Sequence, residues 1–184
     1  MTGPGPGPDC GNGGGRTRLL RLAAAINLGA ALLTLLAFWL LLPLFGSPAG
    51  SGDAGSRLEF WARLALWPAL LLFAMVGGVL VARARSVALN PIDDPESRLY
   101  RVSQRVLTNT VEQTAIFLPV LAALTVLLPP SALGAPVLAT ALFALGRLLF
   151  WAGYLIHPYV RAPGMSMTLA TNAVVLLWAV WLAL

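Results

Sequence analysis

Five apolar runs divide the chain, and each is closed by arginine, proline or a short polar stretch. The first extends from about Leu19 to Leu44, behind Arg16, Arg18 and Arg21. The apolar segment of a secretory signal runs about 7 to 15 residues, so this longer run reads as a retained membrane-crossing helix. A connection from Phe45 to Glu59, rich in Gly, Ser and Pro, leads to a second run from Phe60 to Val81 that stops at Arg83 and Arg85. Residues 86–97 (SVALNPIDDPES) form a polar, turn-rich loop. A third helix begins near Ser97, carries RLYRVSQRVLTNTVEQ in its first turns and stays apolar to Leu128, where Pro129 and Pro130 end it. The fourth covers Val137 to Ile156, closed by His157 and Pro158, and the fifth runs from Met165 to Leu184.

Helices of this kind need a lipid solvent. Apolar residues make up 58% of the chain and charged ones 10%, with a mean hydropathy of +0.81. That is more apolar surface than a soluble domain of 184 residues can bury. Backbone groups in a bilayer are satisfied only by helices or closed barrels, and runs of about 20 apolar residues select helices. The expected fold is an all-α integral membrane protein with five spans, preceded by a disordered Gly/Pro-rich tail at residues 1–15.

The net charge of +5 comes from twelve arginines, with no lysine, against seven acids. Arg16, Arg18, Arg21, Arg83, Arg85, Arg98, Arg101 and Arg161 fall on one side of the five spans, and only Arg57 and Arg63 on the other. By the positive-inside rule this puts the N-terminus and the loops at 86–97 and 157–164 in the cytoplasm. The basic residues therefore describe topology, and no soluble basic face is left for nucleic acid. Cys10 stands alone and forms no internal disulfide. One His, one Cys and scattered acids give no metal-ligand set, and no phosphate loop or nucleophile elbow is present.

Inside the membrane, Arg98, Arg101, Arg105, Asn109 and Glu112 recur at spacings of three and four. At 100° per residue they lie within an arc of about 80°. Glu112 is the telling member, because an acid deep in a spanning helix faces a partner or a wet cavity. The fourth helix adds Arg147, with Trp151 and Tyr154 one and two turns further along. Two roles fit these charges. Arg105, Glu112 and Arg147 neutralise one another as interhelical glue with Asn109 adding a hydrogen bond, or the excess of arginine receives the carboxylates of a small zwitterionic ligand. Tyr154 fits an interfacial anchor or a ligand contact. His157 beside Pro158 reads more as a helix-end residue than as a general base.

Three blocks of residues then resemble the MAPEG family, the membrane-associated proteins in eicosanoid and glutathione metabolism. They are RARSVALNPID from Arg83, RVLTNTVEQTAIFLP from Arg105 and RLLFWAGYLIHPYVRAPGMS from Arg147, in family order over residues 60–184. The resemblance implies a homotrimer of four-helix bundles, with glutathione as cofactor between neighbouring subunits near the cytoplasmic face. It implies ligand contacts from Arg83, Asn109, Glu112 and Tyr154, a supporting charged network of Arg105 and Arg147, and Ser166 as the candidate catalytic residue beside the glutathione sulfur. Arg161 is the further cation of the same loop, expected to serve the ligand.

Departures bear on the chemistry. Leu107 and Thr108 stand where many catalytic members of the resembled family carry His and Arg. Phe150 stands where one branch has His, and Met165 where an arginine is thought to stabilise the thiolate. The additional helix at 16–45 is similar to a mattrin-like branch of the family, for which the resemblance implies no enzymatic activity. Two functions therefore stand side by side: a glutathione transferase or peroxidase acting on lipophilic electrophiles from the surrounding membrane lipids, and a non-catalytic trimeric scaffold. A channel or transporter subunit is a third, weakened by the lack of inverted repeats and broken helices.

The arginine asymmetry makes a direct prediction. In a Cys10→Ser background, single cysteines placed at Ser51 and at Ser97 should react with a membrane-impermeant thiol reagent from opposite sides of sealed vesicles. Labelling of both from one side would sink the five-span topology.

Overall fold

In the computed structural model, residues 13–46, 52–86, 96–157 and 159–184 are described. Most of the expected loop at 86–97, with its Asn90, Pro91 and Asp93, lies outside them, as do Cys10, Pro158 and residues 1–12 of the expected tail. Five helices follow one another: α1 (Gly13–Leu41), α2 (Ala54–Ala84), α3 (Arg98–Leu127), α4 (Gly134–Ile156) and α5 (Ala162–Ala183). Short 3-10 turns extend α1 at Leu42–Leu44 and precede α4 at Pro130–Ala132. No strand occurs among the described residues, and all five helices are long and apolar enough to cross a membrane. The chain is an all-α, multi-pass integral membrane protein.

Helix starts lie earlier than the apolar runs suggest. Residues 13–15, expected in the tail, open α1. α2 begins six residues before Phe60 because Asp53 caps it, accepting the Ser56 N–H at 3.0 Å, while the Ser56 hydroxyl donates to the Asp53 carbonyl at 2.9 Å. The Ser56 N–H holds the Asp53 carboxyl below the usual carboxylate range. The cap's contribution is therefore complete above the ordinary carboxylate pKa and fades as pH falls through the lowered one. Ser97 caps α3 in the same way, accepting the Tyr100 N–H at 3.1 Å. In α4 and α5, Pro136 and Pro163 sit in the first turn, where no intrahelical N–H bond is lost, so both helices start about three residues early.

Contacts between the helices fix an up-and-down order. Arg57 at the start of α2 donates through Nη1 to the carbonyls of Thr125 (3.1 Å), Val126 (2.7 Å) and Leu128 (2.7 Å), which end α3. These are orphan acceptors at a negative helix end, so one cation satisfies several at once. α1 runs parallel to α5, because Asn27, midway along α1, meets Ser166 near the start of α5, and Phe38 meets Trp178 further along both. The starts of α1, α3 and α5 thus share one end with the finishes of α2 and α4, and that end collects Arg83, Arg85, Arg98, Arg101 and Arg161.

α4 is the most enclosed helix, packed against α5, α2 and α3. Phe117 of α3 stacks on Phe143 of α4 with ring centroids 4.3 Å apart, inside a core completed by Leu121, Leu124, Leu138 and Val175. α1 lies outside this bundle against α5 and, less closely, α4. Leu33, Leu40, Phe73 and Trp181 are exposed on the outside of the single chain.

Replacing Arg57 by Ala should lower the stability of the detergent-solubilised protein by about 1.5–3 kcal/mol, the range for hydrogen bonds to a charged group. Arg63, whose ion pair with Glu59 lies on the exposed face of α2, is the control. Arg63→Ala should cost no more than about 0.5 kcal/mol. Equal shifts in thermal unfolding would remove the capping role from Arg57.

Candidate functional site

The site starts from a close approach of two backbones. A Cβ added to Gly164 of α5 would lie 2.7 Å from the Gly146 carbonyl oxygen and from the Phe150 Cα of α4. One added to Gly146 would lie 2.6 Å from Thr168 Oγ1. Only glycine lets the helices meet this closely, as small residues do at many membrane-helix contacts. The contact sets Thr168 beside Arg147, the largest fully buried side chain in the protein.

Arg147 lies among neutral partners. Its Nε donates to Thr168 Oγ1 at 2.9 Å and its Nη1 to Asn109 Oδ1 at 2.8 Å. The guanidinium carbon sits 4.7 Å from the centroid of the Phe150 ring. Thr168 donates its own proton to the Gly164 carbonyl at 3.0 Å, which leaves its oxygen free to accept from Arg147. Nη2 is buried and has no partner. Among the described residues no carboxylate pairs with this cation. The interhelical glue of Arg105, Glu112 and Arg147 is therefore not formed within one chain.

Asn109 links the buried cation to the stripe on α3. Its Oδ1 accepts from Arg147, and its Nδ2 lies 3.5 Å from Glu112 Oε2. Glu112 and Arg105 are exposed in the single chain, with Arg98 and Arg101 continuing the stripe to the basic end. A second polar contact lies beside the first: Asn172 of α5 donates to the Gln113 carbonyl at 3.2 Å and to Gln113 Oε1 at 2.9 Å. Thr114 Oγ1 and Asn172 Oδ1 are buried without partners.

The remaining sequence candidates separate into groups. Tyr154 is buried against Phe150, edge to face at 5.7 Å, and the half-buried Arg161 guanidinium covers its ring at 4.5 Å. Gly153 allows the α4–α5 turn to close, since a Cβ there would lie 2.8 Å from the Val160 carbonyl carbon. Ser166 is buried and donates to Asn27 Oδ1 of α1 at 2.7 Å, while the neighbouring Met165 is exposed. Arg83 is exposed at the end of α2. His157 caps α4, is exposed and accepts from the Tyr159 N–H at 3.4 Å. No group of three His, Cys, Asp or Glu gathers as a metal site among the described residues.

Sequence reasoning missed Thr168, Gln113, Asn172 and Asn27. Gly164, Thr168 and Asn172 repeat at four-residue spacing on one face of α5, and that polar stripe in an apolar helix was the available signal. Asn27 gave only its isolation within an apolar run.

A family model described as the MAPEG family matches residues 61–181, the stretch from the first turns of α2 almost to the end of α5. Among curated proteins and among solved structures nothing matches. The matched stretch holds Arg147, Asn109, Glu112 and Tyr154 in the arrangement above and leaves only α1 outside it, and the chain belongs to the MAPEG family.

Proposed function

We propose that this protein binds glutathione between neighbouring copies of a homotrimer, at the basic and cytoplasmic end of the bundle, and holds it mainly as the thiol. The exposed Arg105 and Glu112 on a spanning helix, tied through Asn109 to the enclosed Arg147, carry this reading. Arg147, enclosed within one chain, orients Asn109, and Asn109 in turn faces Glu112 at the exposed side of α3. Glutathione offers two carboxylates and one ammonium. Arg105 matches the first kind of group through a charge-assisted bond, and Glu112 the second. The exposed position of Glu112 and Arg105 on a spanning helix supports assembly, since such groups face protein or water rather than acyl chains. A second copy packed on this α3 face covers them. Arg83 lies toward the same basic end and adds a further cation.

Activation of the sulfur is a separate requirement, because the thiolate is the nucleophile in conjugation. Ser166 already donates its proton to Asn27, and Met165 offers neither charge nor donor. These two observations favour a binder with little transferase or peroxidase activity, and keep the non-catalytic scaffold as the second reading.

Calorimetric titration with glutathione tests binding. Arg105→Met should abolish it, or weaken it by about 10- to 100-fold, as expected for a lost charged hydrogen bond. Thermal stability should hold, because Arg105 is exposed in the single chain. Glu112→Gln should weaken binding while light scattering still reports a trimer. Collapse of the trimer would instead make Glu112 a purely structural residue.

The thiol itself is read by the ultraviolet absorbance of thiolate across a pH titration. The native protein should show little thiolate at neutral pH and conjugate a small electrophile slowly. Met165→Arg should lower the thiol pKa, each unit corresponding to about 1.4 kcal/mol of differential stabilisation. A strongly lowered pKa in the native protein would overturn the unactivated-thiol reading and leave binding intact.

A further inference from the structure

The helix outside the family match builds a cleft of its own. Leu22, Ala23, Ile26 and Asn27 of α1 face Tyr159, Arg161 and Ala162 of the α4–α5 turn across a space of about 360 Å³. The α1 residues recur at the spacing of one helix face, so a single side of α1 forms the wall. The cleft is mostly apolar and open toward the exterior of the bundle.

Its polar groups are donors. Asn27 Oδ1 is occupied by the Ser166 proton, which leaves the Nδ2 hydrogens of Asn27 to the cleft. Arg161 has its guanidinium face against Tyr154 but has no carboxylate or hydrogen-bond acceptor among the described residues. Among the described residues no acid lines the cleft. On α1, Arg18, one turn before Leu22, and Arg21, next to it, are exposed toward the basic end of the bundle. A half-buried cation, an amide donor and a basic rim above an apolar wall match an anionic head attached to an acyl chain.

We infer that this cleft holds one anionic phospholipid, its phosphate on Arg161 near the basic end, a glycerol ester carbonyl on the Asn27 amide deeper in, and the start of one acyl chain past Ile26. The volume is at the low end for small-molecule sites, about 300–1,000 Å³, so it takes a head group and chain start while the remaining tail stays in the bilayer. Basic residues near a membrane surface attract anionic lipid in general. Here a donor set within a cleft adds a fixed place. The lipid ties α1 to the α4–α5 turn beside the Asn27–Ser166 bond. This inference stands whether or not glutathione binds between copies.

Native mass spectrometry of the full-length protein, purified in a neutral detergent and titrated with phosphatidylglycerol or phosphatidylcholine, tests it. One phosphatidylglycerol per chain should bind at least tenfold more tightly than phosphatidylcholine. Arg161→Gln should reduce that preference to within about threefold, and phosphatidylglycerol should raise the thermal midpoint of the native protein, as any ligand of the folded state does. Equal affinity for the two lipids in the unmodified protein overturns the proposal without reliance on any variant. Displacement of bound phosphatidylglycerol by millimolar inorganic phosphate or by glutathione overturns it too, because the cleft would then belong to a soluble anion.

Discussion

The contact of α4 with α5 at Gly146 and Gly164 is the constraint on which the other features depend. In a bilayer the apolar surface of a helix gains little by leaving lipid for protein, so packing at close range and hydrogen bonds between helices have to hold a bundle together. The glycine pair supplies the range, and Thr168, one turn beyond Gly164, supplies the first bond to Arg147. Once Arg147 is held there, Asn109 of α3 is drawn to its other side, and Asn172 with Gln113 repeats the tie one turn further along α5. A larger residue at either glycine separates the two backbones and removes Thr168 from reach of the guanidinium.

The charges of the molecule are divided by depth. Arg57 is spent on the carbonyl end of α3 and Arg63 on Glu59. Arg147 is enclosed and held by neutral oxygens, a costly arrangement unless another charge completes it. Arg105 and Glu112 carry opposite signs yet remain exposed on the face of α3. The Asn109 amide connects these two zones, its oxygen turned to the cation and its nitrogen to the acid. Its orientation is set by both neighbours, so exchanging the amide groups would oppose like partners on each side.

Much of this was legible in the sequence, for reasons that also explain what was not. Runs of about 20 apolar residues have one stable form in lipid, so the five spans could be read directly. Their starts were misplaced wherever the first turn was polar, as at Asp53 to Glu59, or contained proline, as at Pro163, because hydropathy does not register capping. The Arg105, Asn109 and Glu112 series was visible through its helical period, and its meeting with Arg147 followed from a matching stripe on α4. That Arg147 would be held by Thr168 and lie away from Glu112 depends on how α4 and α5 rotate against each other, which glycine packing decides. The Ser166 to Asn27 bond joins positions 139 residues apart. No local period records such a pairing, and α1 lies outside the stretch that the family resemblance covers.

That separation also bears on how the molecule is made. Ribosomal synthesis proceeds at about 5–20 residues per second, so the stretch between Asn27 and Ser166 takes roughly 7 to 30 seconds to emerge. Throughout that time α1 is already in the bilayer without the helix on which it docks. Its asparagine has to find water or lipid head groups near the membrane surface, since an unsatisfied amide in hydrocarbon is costly. A helix parked beside an unfinished bundle is also free to dock on another chain translated nearby. Asn27 is therefore a residue whose burden falls on assembly, with the order of synthesis deciding which Ser166 it meets first.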